Sequence, residues 1–133
     1  KKWRGDIKVD CSAANPYIMS IKNYPILAVL MTKLNGGVSK LDCVADGYGN
    51  AGEPNPGNGI DMGNGTQLLI YDLSKAKNYE GADELKFTVF QIKLADIPYD
   101  NIDPANAFYE VYWLRTFKSE AEAKEFAQSY KIN

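Results

Sequence analysis

Short runs of alternating apolar and polar residues, cut apart by Gly, Pro and Asn, constrain this chain more than any other feature. Alternation with period two sends every second side chain to one face of an extended strand, so one face is buried while the other meets water. The clearest run is 86–94, KFTVFQIKL, inside a strand expected over 84–94 with Leu85, Phe87 and Val89 on one face. Residues 7–11 (Ile7, Val9, Cys11) alternate in the same way. Residues 17–21 read as a second strand with Tyr17, Met19 and Ile21 on one face, and 67–73 as another with Leu68, Ile70 and Asp72 against Leu69, Tyr71 and Leu73. Residues 107–117 give an aromatic-rich strand with Tyr109, Val111 and Trp113 opposite Phe108, Tyr112 and Leu114.

Residues 26–34 are so densely apolar that their period is hidden. A buried strand is preferred there over a short helix capped by Asn23, because Asn35-Gly36-Gly37 follows. Asn and Gly tolerate positive φ, so the expected hairpin returns through 38–45. At the other end, Ser119-Glu120-Ala121-Glu122 fits a capping box, with Ser119 accepting from the first turn and Glu122 reaching back. Ala123, Phe126, Ala127 and Tyr130 then lie at helical spacing and are expected to pack on the sheet. The whole chain, 1–133, reads as one α+β domain: a mainly antiparallel β-sheet of about six to seven strands with one C-terminal helix packed on it.

Residues 46–65 break every period. They carry most of the chain's glycines, with Pro54, Pro56 and four asparagines, and read as a long exposed loop. Loops of that length in a compact domain are commonly functional. A second irregular stretch, 97–105, is bracketed by Pro98 and Pro104.

Charge and composition exclude several classes. The formal net charge is −2, and the basic start (Lys1, Lys2, Arg4) is short enough to read as a solvated terminus. Clustered Lys/Arg for a phosphate backbone is missing, so no nucleic-acid partner is expected. No apolar run approaches the roughly eighteen residues of a membrane-spanning helix. The chain begins at Lys1 without a signal-peptide pattern, which fits either a removed leader or a trimmed start. Cys11 and Cys43 both sit in strand-like runs, and on neighbouring strands they would form a disulfide. Closing that loop adds about 3–4 kcal/mol in the chain-entropy model and points to a periplasmic or secreted home.

The chain has no histidine. That removes Ser-His-Asp and Cys-His catalysis and any His-based zinc site, and two cysteines alone cannot complete a structural zinc site. Gly47-Tyr48-Gly49-Asn50-Ala51-Gly52 spells G-x-G-x-x-G, but Glu53-Pro54 follows where a dinucleotide site needs a helix to open. Calcium, which takes about six to eight oxygens, has donors in Asp46, Asn50, Asn58, Asp61 and Asn64, and in Asp96, Asp100 and Asp103. Neither set has EF-hand spacing, and Asp, Asn and Gly are ordinary turn residues, so no cofactor is expected and calcium is kept as an alternative. No carboxylate pair stands out for glycoside hydrolysis, and a small hydrolase ranks last.

Aromatics are what remains. Nine tyrosines and two tryptophans supply rings suited both to protein interfaces and to sugar stacking. The sequence therefore points to a non-catalytic, exported binding module whose loops and exposed rings meet a macromolecule. Its expected partner is first a protein, in the manner of an inhibitor or immunity-type protein, and alternatively a carbohydrate with or without calcium. The residues expected to bind are Tyr48, Asn50, Asn58, Asp61, Tyr99, Asp100, Tyr112 and Trp113.

Overall fold

A computed structural model describes residues 2–10, 12, 14–33, 38–45, 49–50, 59–75, 80–98 and 109–132. In chain order the elements are β1 (Lys2–Asp10), β2 (Tyr17–Ser20), β3 (Ile26–Thr32), β4 (Val38–Ala45), β5 (Gly49–Asn50), β6 (Ile60–Gly63), β7 (Thr66–Asp72), a 3-10 turn (Leu73–Lys75), β8 (Glu84–Pro98), β9 (Val111–Phe117) and α1 (Glu120–Ser129). All strand pairings are antiparallel, and they make two sheets. The first has the order β1-β8-β4-β5, with β2 also on β8; the second has the order β6-β7-β3-β9. The architecture is α+β with mainly antiparallel sheet.

The second sheet is covered on both sides, which explains the hidden period of β3. Its odd residues Leu27, Val29 and Met31 join Leu69, Tyr71, Met19, Leu85 and Phe87 in a core between the sheets. Its even residues Ile26, Ala28 and Leu30 join Leu68, Phe117, Ala123 and Ala127 in a second core beneath α1. A strand buried on both faces shows a continuous apolar run rather than alternation. β8 keeps its alternation where it crosses the first core: Leu85 and Phe87 are buried, Glu84 and Lys86 exposed.

α1 starts as its sequence dictates. Ser119 Oγ accepts from the Glu122 N–H at 3.2 Å. The Glu122 carboxylate reaches back one residue further than a capping box requires and accepts from the Lys118 N–H at 3.0 Å. The buried face of the helix carries Ala123 and Ala127, whose small side chains let it lie close on the sheet. Phe126 packs beside them against Trp113 and Phe117, with ring centroids 5.1 and 5.6 Å away. Tyr130, expected to pack on the sheet, instead caps the helix end and is 39% exposed.

Several expectations change. One sheet becomes two, because local alternation fixes a strand's faces but not its neighbours. The hairpin expected of β3 with β4 does not form: β3 pairs with β7 and β9, while β4 pairs with β8 and β5; Asn35-Gly36-Gly37 itself lies outside the described residues. Cys11 lies outside the described residues. Cys43 sits in β4 opposite Phe90 of β8, and β1 lies on the other side of β8. The two strands expected to be neighbours are thus separated by a third.

The basic start is part of β1, its backbone paired with β8 from Lys2 onward. The loop expected over 46–65 contains β5 and β6, and β6 forms a hairpin with β7. In β9 the register slips: Leu30 faces Trp113, but Met31 faces Val111. Tyr112 is the extra residue of a β-bulge, so Tyr109 and Val111 pack on the inter-sheet core while Tyr112 and Trp113 pack on the core beneath α1. The expected grouping of Trp113 with Tyr109 and Val111 fails for that reason.

Candidate functional site

The end of the Gly/Asn/Pro-rich stretch forms one wall of an open groove. Asn64 (φ 52°) and Gly65 (φ 72°) are the two residues between β6 and β7. Positive φ at both central positions is the signature of a type I′ turn, whose twist suits a tight hairpin. Gly63 also has positive φ, at 80°. The tip is braced from several directions. Thr66 Oγ1 donates to the Gly63 carbonyl at 2.8 Å, and the Lys33 N–H donates to the Gly65 carbonyl at 2.7 Å. The Lys33 ammonium donates to the Asp61 carboxylate at 2.8 Å, and the Gly63 N–H donates to its other oxygen at 2.9 Å. The Lys33 ammonium, followed by the Gly63 N–H, holds the Asp61 carboxyl below the usual carboxylate range.

The opposite wall is the C-terminal end of α1 and the residues after it. The groove has a volume of about 670 Å³ and is lined by Met62, Asn64 and Thr66 from the hairpin, Tyr112 from the bulge, and Gln128, Tyr130, Lys131 and Ile132 from the helix end. Leu30 and Ala127 form its floor. Lys131 is the one charged side chain among the described residues of this lining. Asn64, Tyr112, Gln128 and Tyr130 have no side-chain hydrogen bond among the described residues. Amides and phenols both donate and accept, so the groove offers paired hydrogen-bonding capacity beside aromatic and aliphatic surface.

A second groove, of about 490 Å³, runs along the other side of α1. It is charged with both signs: Arg115, Lys118, Glu122 and Glu125 line it together with Tyr24. The Arg115 guanidinium lies 4.5 Å from the centroid of the Phe126 ring and 5.4 Å from that of Phe117, in cation–π geometry.

The structure brings part of the expected site together. Tyr112 lines the first groove, and Asp61 braces the hairpin that forms its wall. Trp113 is half-buried, packed edge-on against Phe117 and Phe126 with centroids 5.7 and 5.1 Å away. Its buried indole N–H has no acceptor among the described residues. Asn50 lies in β5 opposite Val44, away from β6 and in the other sheet. Tyr48, Asn58, Tyr99 and Asp100 lie outside the described residues, as do Asp46 and Asp103 of the calcium reading and most of the G-x-G-x-x-G stretch. Among the described residues, no three acidic or cysteine side chains come together to hold a metal ion. Among them also, no helix is long and apolar enough to cross a membrane.

Sequence reasoning missed Met62, Gln128, Tyr130, Lys131 and Ile132. Tyr130 has helical spacing with Phe126 and so reads as core; only the end of α1 at Ser129 frees it. Met62 sits where the β6–β7 register slips, a bulge that the sequence does not announce.

A family model described as a domain of unknown function, DUF4979, matches residues 1–123. The chain belongs to the DUF4979 family. No curated protein and no solved structure matches it. The family match in this DUF4979 domain takes in both sheets and the first turn of α1, with the hairpin wall of the groove and Tyr112. Gln128, Tyr130, Lys131 and Ile132 follow the matched segment.

Proposed function

We propose that this DUF4979 domain is a non-catalytic binding module that engages a macromolecule along the groove between the β6–β7 tip and the end of α1. The observation that carries this reading is the groove's lining. Four uncharged side chains without a side-chain hydrogen bond among the described residues stand on a braced hairpin, a strand bulge and a helix end. Binding groups held on rigid elements lose little entropy when they meet a ligand. The groove is partly open to solvent, which leaves room for an extended ligand. Without histidine, the usual acid–base residue near neutral pH is also missing from the chain.

Both partner classes raised by the sequence, a protein and a carbohydrate, reach such a surface. A glycan array and a displayed peptide library, each probed with the intact domain, test the reading. Hits of either class should weaken in Gln128→Ala and Asn64→Gly variants. Hits of both classes that ignore these variants would place recognition elsewhere and end the proposal.

We also infer export to the periplasm or outside the cell, on the even cysteine count alone. Alkylation of the unreduced, unfolded protein followed by mass measurement tests it. A Cys11–Cys43 bridge supports export, and two alkylated thiols remove the argument.

A further inference from the structure

We infer that the groove between the β6–β7 tip and the end of α1 takes a neutral saccharide chain. The inference rests on the reading of that groove as the binding surface and adds the chemical class of the ligand.

A sugar ring presents two kinds of surface at once: a face of C–H groups and a rim of hydroxyls that both donate and accept. The first needs an aromatic or aliphatic partner; the second needs side chains that also both donate and accept. Tyr112 and Tyr130 supply rings, and Met62 adds a flexible aliphatic contact. The amides of Asn64 and Gln128, with the two phenols, supply uncharged donors and acceptors, none used by another side chain among the described residues. Asn64 stands on a two-residue turn and Gln128 on the last turn of α1, so both amides have fixed origins on opposite walls.

Charge decides against the neighbouring ligand classes. An anionic glycan or an acidic peptide calls for clustered cations, and Lys131 is alone among the described residues of this lining. A basic peptide calls for carboxylates, and the described lining residues include none. The second groove, beside Arg115, Lys118, Glu122 and Glu125, carries the charged chemistry that the first lacks.

Affinity gel electrophoresis of the intact domain tests this, with hydroxyethylcellulose, galactomannan, arabinoxylan and soluble starch as neutral probes and polygalacturonate as the anionic one. At least one neutral polymer should retard the domain more than polygalacturonate does. Tyr130→Ala should weaken that retardation by about tenfold, and Gln128→Ala by about three- to tenfold, the size of one net hydrogen bond. Gln128 is exposed, and alanine is the best helix former, so that variant keeps its fold. Asn64→Gly keeps the positive φ and removes only the amide, and should weaken binding by a similar factor. Unchanged thermal midpoints in the last two variants separate lost contacts from lost fold. No retardation by any neutral polymer, stronger retardation by polygalacturonate, or retardation indifferent to all three substitutions would overturn the inference. Groove-dependent peptide binders without any neutral glycan would overturn it too, while leaving the binding-module reading intact.

Discussion

Replacing Phe87 by alanine tests whether two sheets share one core. Phe87 lies on β8, paired with Tyr17 of β2 on one side and Ala45 of β4 on the other. Its side chain is fully buried among Leu27, Val29, Met31, Leu69 and Tyr71 of the opposite sheet, with Met19 and Leu85 of its own. Truncating a buried Phe removes its transfer free energy and leaves a cavity between two sheets that can only partly collapse, a loss of about 3–5 kcal/mol. Against a total stability of about 5–15 kcal/mol for a domain, that is a large fraction. At roughly 3–5 °C per kcal/mol for a chain of this size, the thermal midpoint should fall by about 10–20 °C.

Urea unfolding gives the free energy directly, with the slope expected to stay unchanged. Lys86→Ala is the internal control, since Lys86 is exposed on the other face of the same strand and should move stability by less than about 0.5 kcal/mol. A Phe87→Ala loss under about 1 kcal/mol, or an equal loss at Lys86, would refute the packing, because a one-residue slip in register exchanges the two faces.

Three further outcomes follow from local geometry. A Cβ added at Gly59 would stand 2.8 Å from Gln67 Oε1 and 2.9 Å from Leu69 Cδ2. Leu69 is fully buried and cannot retreat, so Gly59→Ala should cost about 1–3 kcal/mol by urea unfolding, and a neutral result would contradict the close approach. Ser119→Ala should cost about 1 kcal/mol and fray the first turn of α1, read as lower helicity by circular dichroism. The depressed Asp61 pKa means that the carboxylate favours the folded state at pH values above its unfolded pKa. That contribution is lost as pH falls through the folded pKa, so the stability gap between wild type and Asp61→Asn should be present above about pH 5 and close in acid. High salt should shrink the gap as well, since both partners are about half exposed.

Much of the fold was legible because each element carries its own local signal. The alternation that opens β8 matches its faces at Glu84, Leu85, Lys86 and Phe87, and the Ser119–Glu122 pair set the start of α1. The dense apolar run of β3 suited a buried strand or a short helix, with the strand preferred, and did not say what covers it. What local patterns do not carry is pairing. Asn35-Gly36-Gly37 has the composition of a hairpin turn, yet β3 before it and β4 after it lie in different sheets. Faces also mislead after a bulge: Tyr112 turns Trp113 away from the side that strict alternation assigns it. The site was half visible for the same reason. The glycine-rich stretch and Tyr112 stood out by composition, whereas Gln128, Tyr130 and Lys131 become wall residues only because α1 ends beside the β6–β7 tip.

Backbone amide spectra of the 15N-labelled domain, titrated with cello-, xylo-, manno- and malto-oligosaccharides, test the groove most directly. Shift changes should saturate and gather at residues 62–66, 112 and 127–132, with the Arg115 groove and the β1-β8-β4 sheet unmoved. Saturable changes centred on either of those other surfaces, or spectra indifferent to every oligosaccharide, would contradict the account.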